Sequence, residues 1–545
     1  MNRIPTLPAV IAILMAGTPV SAQHQGHDAA AARERLGRVK FPISCSAEAQ
    51  QRFERALALL HSFEYDQAEP AFAQVAEADS ACVMAYWGIA MSRLHPLWTP
   101  PSAADVRVAL TALERARGAR LEREREYIDG IAAYYREHDR VDHLTRLQRF
   151  EDALATLAKR YPRDAEAQIF YALGMVGVAM ALPVDTTYAR RRRAGAILEA
   201  LMTRHPDHPG LAHYIIHAYD VPALSTEAIR AAKRYAAIAP ASPHAQHMPS
   251  HVFTRRGMWD ESIASNERTA EVAQKFERTY RMFSQDYLHA LDYLAFAYLQ
   301  QGRDTAARRV VGEAARADTL KAGGHFASFY ALAAIPARYA LERGDWSAAA
   351  QLPIRPHSDF LPGQAVTRFA RGLGAARARD TALAHAEAAV LAEIRDMLTR
   401  AGESQWAREV ESNRLAIESW IAHARFDSGS AIGLADSAAA MEDGTEKHPV
   451  MPGRVLSARL LLGELFMEVG RPKEAYRAFE AALVREPGRA RALFGAAVAA
   501  ERSGNLSVAR SRYGELLTLM SRADGDRAEV RQARESLSRI AERRS

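Results

Sequence analysis

Apolar residues recur at intervals of three and four along almost the whole chain, and alternating runs of β-branched residues are scarce. That period marks one face of a helix rather than a strand, so the pattern predicts an all-α protein. Glycine-centred turns cut it into pairs of helices. The repetition is clearest near the end. Gly470, Ala475, Phe479 and Ala482 are followed 34 residues later by Gly504, Ala509, Tyr513 and Leu516, and Pro487 closes the first unit. Small residues let two antiparallel helices approach closely, and the aromatic fills the gap to the next hairpin.

A 34-residue unit with small residues at helix crossings, an aromatic knob and a terminal proline resembles the tetratricopeptide-repeat family. The fold this implies is a right-handed superhelix of antiparallel helical hairpins. Weaker copies occur upstream. Phe63-Glu64-Tyr65 with Ala68 and Phe72 marks a first hairpin, and Gly257-Met258-Trp259, Gly302-Arg303-Asp304 and Gly344-Asp345-Trp346 mark central turns. Looser composition at 351–365 and 425–453 suggests an interruption. The expected organisation is a hairpin array over 43–350, an irregular helical connector over 351–453 and a C-terminal array over 454–545.

More narrowly, the chain is similar to a group of exported bacterial tetratricopeptide proteins. The resemblance rests on Ser44-Cys45-Ser46, HSFEYDQA (61–68), MAYWGIAMS (84–92), HPLW (95–98), HMPSH (247–251), LHALDYL (288–294) and EKHPV (446–450). It implies the fold and an exported location, but no settled activity.

The N-terminus points to the same compartment. Arg3, the apolar run Pro5 to Gly17 and the small residues Val20-Ser21-Ala22 have the layout of a signal peptide over 1–22, followed by a flexible lead-in over 23–42. The run is too short for a spanning helix, and no later window is apolar enough for one. A periplasmic or cell-surface protein is therefore expected. In an oxidising space Cys45 and Cys82, the only two cysteines, are expected to be joined; without C-x-x-C spacing a redox or metal-binding thiol pair is the weaker reading. The 71 basic and 65 acidic residues leave a net charge of +6, which excludes a dedicated nucleic-acid binder but permits weak attraction to anionic surfaces.

Histidine carries the candidate chemistry. Seven of the 19 His fall between His205 and His251. His213 and His217 are four apart, as are His247 and His251, so each pair shares a helix face. The pairs are also 34 residues apart, and chance placement would give about 0.6 pairs at that spacing against the four present. Repeat register places both pairs on first helices, facing a concave groove, with His289, Asp292 and Asp220 close by. Paired imidazoles on neighbouring helices suit Zn, Cu, Ni or Fe. The bland alternative is packing, with Tyr214 and Tyr219 as hydrogen-bond partners. His61 and His95, with Trp98, form a second candidate set along the groove. Arg190 to Arg193 reads as a solvated basic face. There is no H-E-x-x-H, no phosphate-binding glycine loop and no G-x-S-x-G.

The leading expectation is an exported scaffold that holds a protein, a peptide or a metal-containing ligand in its His-rich groove. The alternative is a metal-dependent hydrolase or oxidase using the His/Asp cluster. No catalytic residue is assigned by the sequence.

Overall fold

The computed structural model describes residues 35–280, 284–316, 325–354 and 360–542. The expected signal peptide and most of the lead-in lie outside these. Helices follow one another from Ala47–His61 to Ala528–Glu542, and no strand occurs among the described residues. Successive helices pack side by side as hairpins, so the all-α repeat architecture follows from the chain's own contacts. No described helix is long and apolar enough to cross a membrane.

The repeat logic is visible in the core. The Phe479 ring sits so close to Gly463 and Gly495 that a Cβ at either would fall 2.7 or 2.4 Å from it. Phe72 meets Gly88 in the same way, at 2.2 Å. The turn glycines Gly257, Gly302, Gly344, Gly470 and Gly504 all have positive φ, the left-handed conformation that ends a helix. Cys45 and Cys82 form a disulfide with a Cα–Cα distance of 5.2 Å.

Three features differ from the sequence reading. Within the lead-in, Leu36, Val39 and Phe41 are buried core residues, and Arg38 N–H donates to Asp207 O at 2.9 Å. Their apolar spacing was too short to register as an element. The supposed connector contains the regular helices Leu361–Arg377, Thr381–Arg400, Ser404–Ala424 and Ser428–Asp443. Glycines at 429 and 433 lie inside the last of these, where side-chain packing overrides propensity. Among the described residues the longest non-helical stretch there is 444–457. Finally, the array closes on itself. Trp259 Nε1 donates to Gly488 O at 3.1 Å, Asp524 N–H donates to Gly302 O at 3.2 Å, and Arg527 pairs with Asp304 at 2.6 Å. The C-terminal hairpins thus cover the central ones, and the irregular segment 444–457 runs beneath them.

Candidate metal centre

That closure decides where the histidines lie. His213, His217, His247, His251 and His289, expected on an open groove, are between 0% and 7% exposed. The rings do lie near one another, but pairwise repeat logic cannot foresee that distant hairpins cover the groove.

Four short helices place them. Pro209–Tyr219 opens on proline, pre-set for the first turn, and carries His213 and His217. Pro243–His247 is capped by Ser242, whose hydroxyl accepts from Ala245 N–H, and carries His244 and His247. Pro249 cannot continue that helix's hydrogen bonding, so a new helix, Pro249–Arg255, re-aims His251. Gln285–Gln300 supplies His289.

Two triads result: His213, His217 and His244; and His247, His251 and His289. In each, the three candidate donor atoms lie within 4.8 Å of one another. The His213 Nε2 atom is 3.1 Å from His217 Nε2 and 3.2 Å from His244 Nε2, and His247 Nε2 is 3.1 Å from His251 Nε2. Nitrogens bound tetrahedrally at about 2.0–2.1 Å from one ion stand about 3.3 Å apart. The spacing fits.

The opposite ring nitrogens fix the tautomers. His213 Nδ1–H donates to His61 O at 2.7 Å, and His244 Nδ1–H to Asp286 Oδ1 at 2.9 Å. His247 Nδ1–H donates to Asn266 Oδ1 at 2.8 Å, and Asn266 spends its own amide on Ser262 O. His251 Nδ1–H donates to Asp220 Oδ2 at 3.0 Å. With the proton on Nδ1, each neutral ring presents a bare lone pair at Nε2. Two such contacts, His213 with His244 and His247 with His251, therefore bring lone pair against lone pair. A cation shared between the two nitrogens, a metal ion or a proton, relieves that. Protonation is disfavoured: burial pushes His213, His217, His247 and His289 well below the usual imidazole range, and the neighbouring rings push them further. The Nδ1 atom of His289 is moreover buried with no partner. Imidazoles held by carboxylate, amide or carbonyl acceptors are the usual outer layer of a metal site.

The remaining sequence candidates take other roles. Asp220 is not a ligand but a bracket. It accepts from His251 and from Arg255 Nε at 2.8 Å, and although burial works against its charge, Lys447, Arg255 and His251 hold it well below the usual carboxylate range. Asp292 is removed from the site: fully buried, it pairs with Arg338 Nε at 2.8 Å. An unpaired buried Arg338 would be costly, and sequence alone does not show which charge an aspartate meets. His61 and His208 both donate to Glu166, at 2.9 and 2.8 Å, which makes a third buried group in which His208 Nδ1 keeps no partner. The His95 ring lies 4.1 Å from that of Tyr65 at a tilt of 34°, and Trp98 meets Phe63 and Tyr65 edge-on at 5.4 Å. These residues form an aromatic wall. Its centre, Phe63, lies 4.3 Å from the His213 ring in a left-handed backbone conformation, φ 55°, a strain that tertiary packing must hold.

Sequence reasoning missed His244, Asp286, Asn266 and Phe63. His244 had a usable signal, since it precedes His247 by three residues on the same face. The others reach the site by tertiary contact. The irregular segment closes it: Tyr293 O–H donates to Met451 O at 3.3 Å, and His448 stacks on Trp406 at 4.7 Å.

The triads are neighbours. Ring centres of His217 and His251 are 6.2 Å apart, and those of His244 and His247 are 6.3 Å apart. A gap of about 20 Å³ touches His217, His244, His251 and His289, enough for about one water-sized group. A larger cavity of about 1240 Å³ shares His217, Trp98 and Pro449 with it.

No protein-family model matches the chain, and no curated protein is recognisably similar to it in sequence. Among solved structures it is similar to the APC/C hetero-tetramer Cut9-Hcn1, at 12% identity over 90% of each chain with a TM-score of 0.33. It is also similar to yeast Tom70, at 12% identity over 91% of this chain and 96% of that one, TM-score 0.34. The human IFIT1 dimer with m7Gppp-AAAA gives 12%, 80%, 90% and 0.33 for the same quantities. These neighbours are tetratricopeptide-repeat proteins. Likeness of this degree says nothing about the histidine centre.

Proposed function

We propose that the chain is a dinuclear metalloprotein, each His triad binding one transition-metal ion. The observation that carries this reading is the pair of facing, unprotonated Nε2 contacts whose Nδ1 atoms are already committed. Donor chemistry selects the metal. Six imidazoles and no carboxylate ligand favour copper, which also heads the affinity order for nitrogen sites, over the carboxylate-rich centres that suit manganese or magnesium.

Between hydrolase and oxidase, the oxidase reading has more support. A metal hydrolase needs a free acid–base group beside the ion. Here Asp220, Asp286 and Asp292 are engaged with His251 and Arg255, with His244, and with Arg338. Two copper ions this close would supply two electrons together to dioxygen. The chain's own part is to hold the rings through Asp220, Asp286, Asn266 and the His61 carbonyl, and to keep bulk water away through Phe63, Trp98 and the 444–457 segment. The Cys45–Cys82 bridge supports an oxidising, extracytoplasmic setting, in which residues 1–22 would act as the export signal.

Elemental analysis of untagged protein tests the proposal. Close to two metal ions per chain are expected, falling to about one in each of H213A and H247A. Zinc in place of copper at the same stoichiometry would keep the centre and reject the oxidase chemistry. Metal-free protein that takes up neither ion on reconstitution would reject both.

A further inference from the structure

The 1240 Å³ cavity beside the first triad is larger than the centre needs. It is lined by His217 and Asp220, by apolar and aromatic residues such as Trp98, Tyr171 and Met175, and by several arginines. The fate of these charges is informative. Most carboxylates on the wall are already committed. Glu151 meets Arg190, Asp220 is bracketed by Arg255 and His251, and Asp142 and Asp185 bind the hydroxyls of Thr145 and Thr187. Arg191, expected on a solvated face, is instead buried and donates to His217 O at 2.9 Å.

Arg146 stands apart. It is 7% exposed and lines the cavity, its guanidinium lies 4.7 Å over the Tyr134 ring, and its Nε and Nη1 atoms have no hydrogen-bond partner. Arg408, which lines the same cavity, has an unpartnered Nε as well. Buried guanidinium donors are rarely left unsatisfied, because the cost of removing them from water is not recovered. A planar fork held in place by an aromatic face is also the group that best matches a carboxylate or phosphate.

We infer that this cavity binds a small organic anion, with its carboxylate or phosphate headgroup on Arg146 and its apolar body lying against Tyr171, Met175 and Trp98 toward His217. This deepens the metal-centre reading by naming the substrate class, and rests on that reading for the role of the bound molecule, though not for its binding. The apolar body accounts for the mixed lining, typical of cavities that accept organic ligands. The charge accounts for the arginine donors that the fold leaves open.

The test is calorimetric titration of the full-length protein, metal-loaded and metal-free, with 4-phenylbutyrate, phenyl phosphate, inorganic phosphate and the neutral 4-phenylbutyramide. At least one organic anion should bind ten-fold or more tightly than the amide, and R146Q should remove that preference while its metal content stays at the wild-type level. R408Q should weaken the same ligand to a smaller extent. Carboxylate against phosphate ester identifies the headgroup, and binding of inorganic phosphate alone would refute the apolar-body part. Equal binding of acid and amide, no binding by any of the anions, or an unchanged preference in R146Q would overturn the inference. Anion binding by protein that takes up no metal would leave this site standing and reject the metal centre; metal without anion preference would do the reverse.

Discussion

Replacing Asp292 by Asn separates a bracket of the fold from a ligand of the metal. In the native structure the carboxylate and Arg338 are both without exposed surface and meet at 2.8 Å. Loss of one charge from a buried pair costs about 3–5 kcal/mol, because the other charge is left unpaired. Arg338 keeps two acceptors, Gly453 O at 2.7 Å and Arg454 O at 3.2 Å, and asparagine keeps a carbonyl oxygen. The cost therefore falls at the low end, about 3 kcal/mol. Spread over roughly 500 residues melting together, that lowers Tm by about 3 °C, and by more if a smaller unit melts first. The assay is thermal unfolding with and without chelator, paired with metal analysis of the same preparation. D292N should lose stability equally in both conditions and retain the full metal content. Loss of one metal ion with Tm unchanged in chelator would refute the reasoning and return Asp292 to the ligand set.

Three other outcomes follow from the geometry. Asn266→Ala removes the acceptor for His247 Nδ1, along with the Asn266 contacts to Ser250 and Ser262; metal affinity of the second triad should fall about 10–100-fold while the first keeps its ion, as read by competitive chelation. His448 is buried and held neutral, down to about 3, with its Nδ1 accepting from Val450 N–H. The unfolded chain takes up that proton near pH 6.5 and the folded chain does not, so this contribution is complete above 6.5 and lost on acidification. Relative to H448Q, wild-type stability should drop by about 1.4 kcal/mol per pH unit between 6.5 and 4, and parallel stability curves would contradict this. Opening the Cys45–Cys82 link, which spans 37 residues, should cost about 4 kcal/mol by the loop-entropy relation; a C45A/C82A variant with unchanged unfolding would show that the segment is held by its core contacts alone.

Much of this architecture was legible in the sequence because it is local and periodic. The 3.6-residue pattern, the turn glycines and the Phe479 knob each describe a contact within a hairpin or with the next one. The paired histidines were legible for the same reason, since spacings of four and 34 are helix and repeat periods. What escaped was non-local. Asp292 shares a face with His289, yet its partner Arg338 comes from the next hairpin. His61 reaches His213 from 152 residues away, and Asn266 reaches His247 from the following long helix. The burial of the whole cluster depends on residues 444–457 and on contacts such as Trp259 with Gly488. The strings HSFEY, HPLW, HMPSH, LHALDYL and EKHPV looked unrelated, but the fold brings all of them to one place.

The five-residue helix Pro243–His247 gives one ring to each triad, His244 to the first and His247 to the second. On the proposed reading a single turn of backbone therefore serves two ions. An ion held by either triad fixes the orientation of that turn, and so lowers the entropy its neighbour must still surrender on binding. By reciprocity the second ion would act back on the first to the same degree. Loading of the two triads would then be linked through this one turn of backbone, with each still able to hold its ion alone.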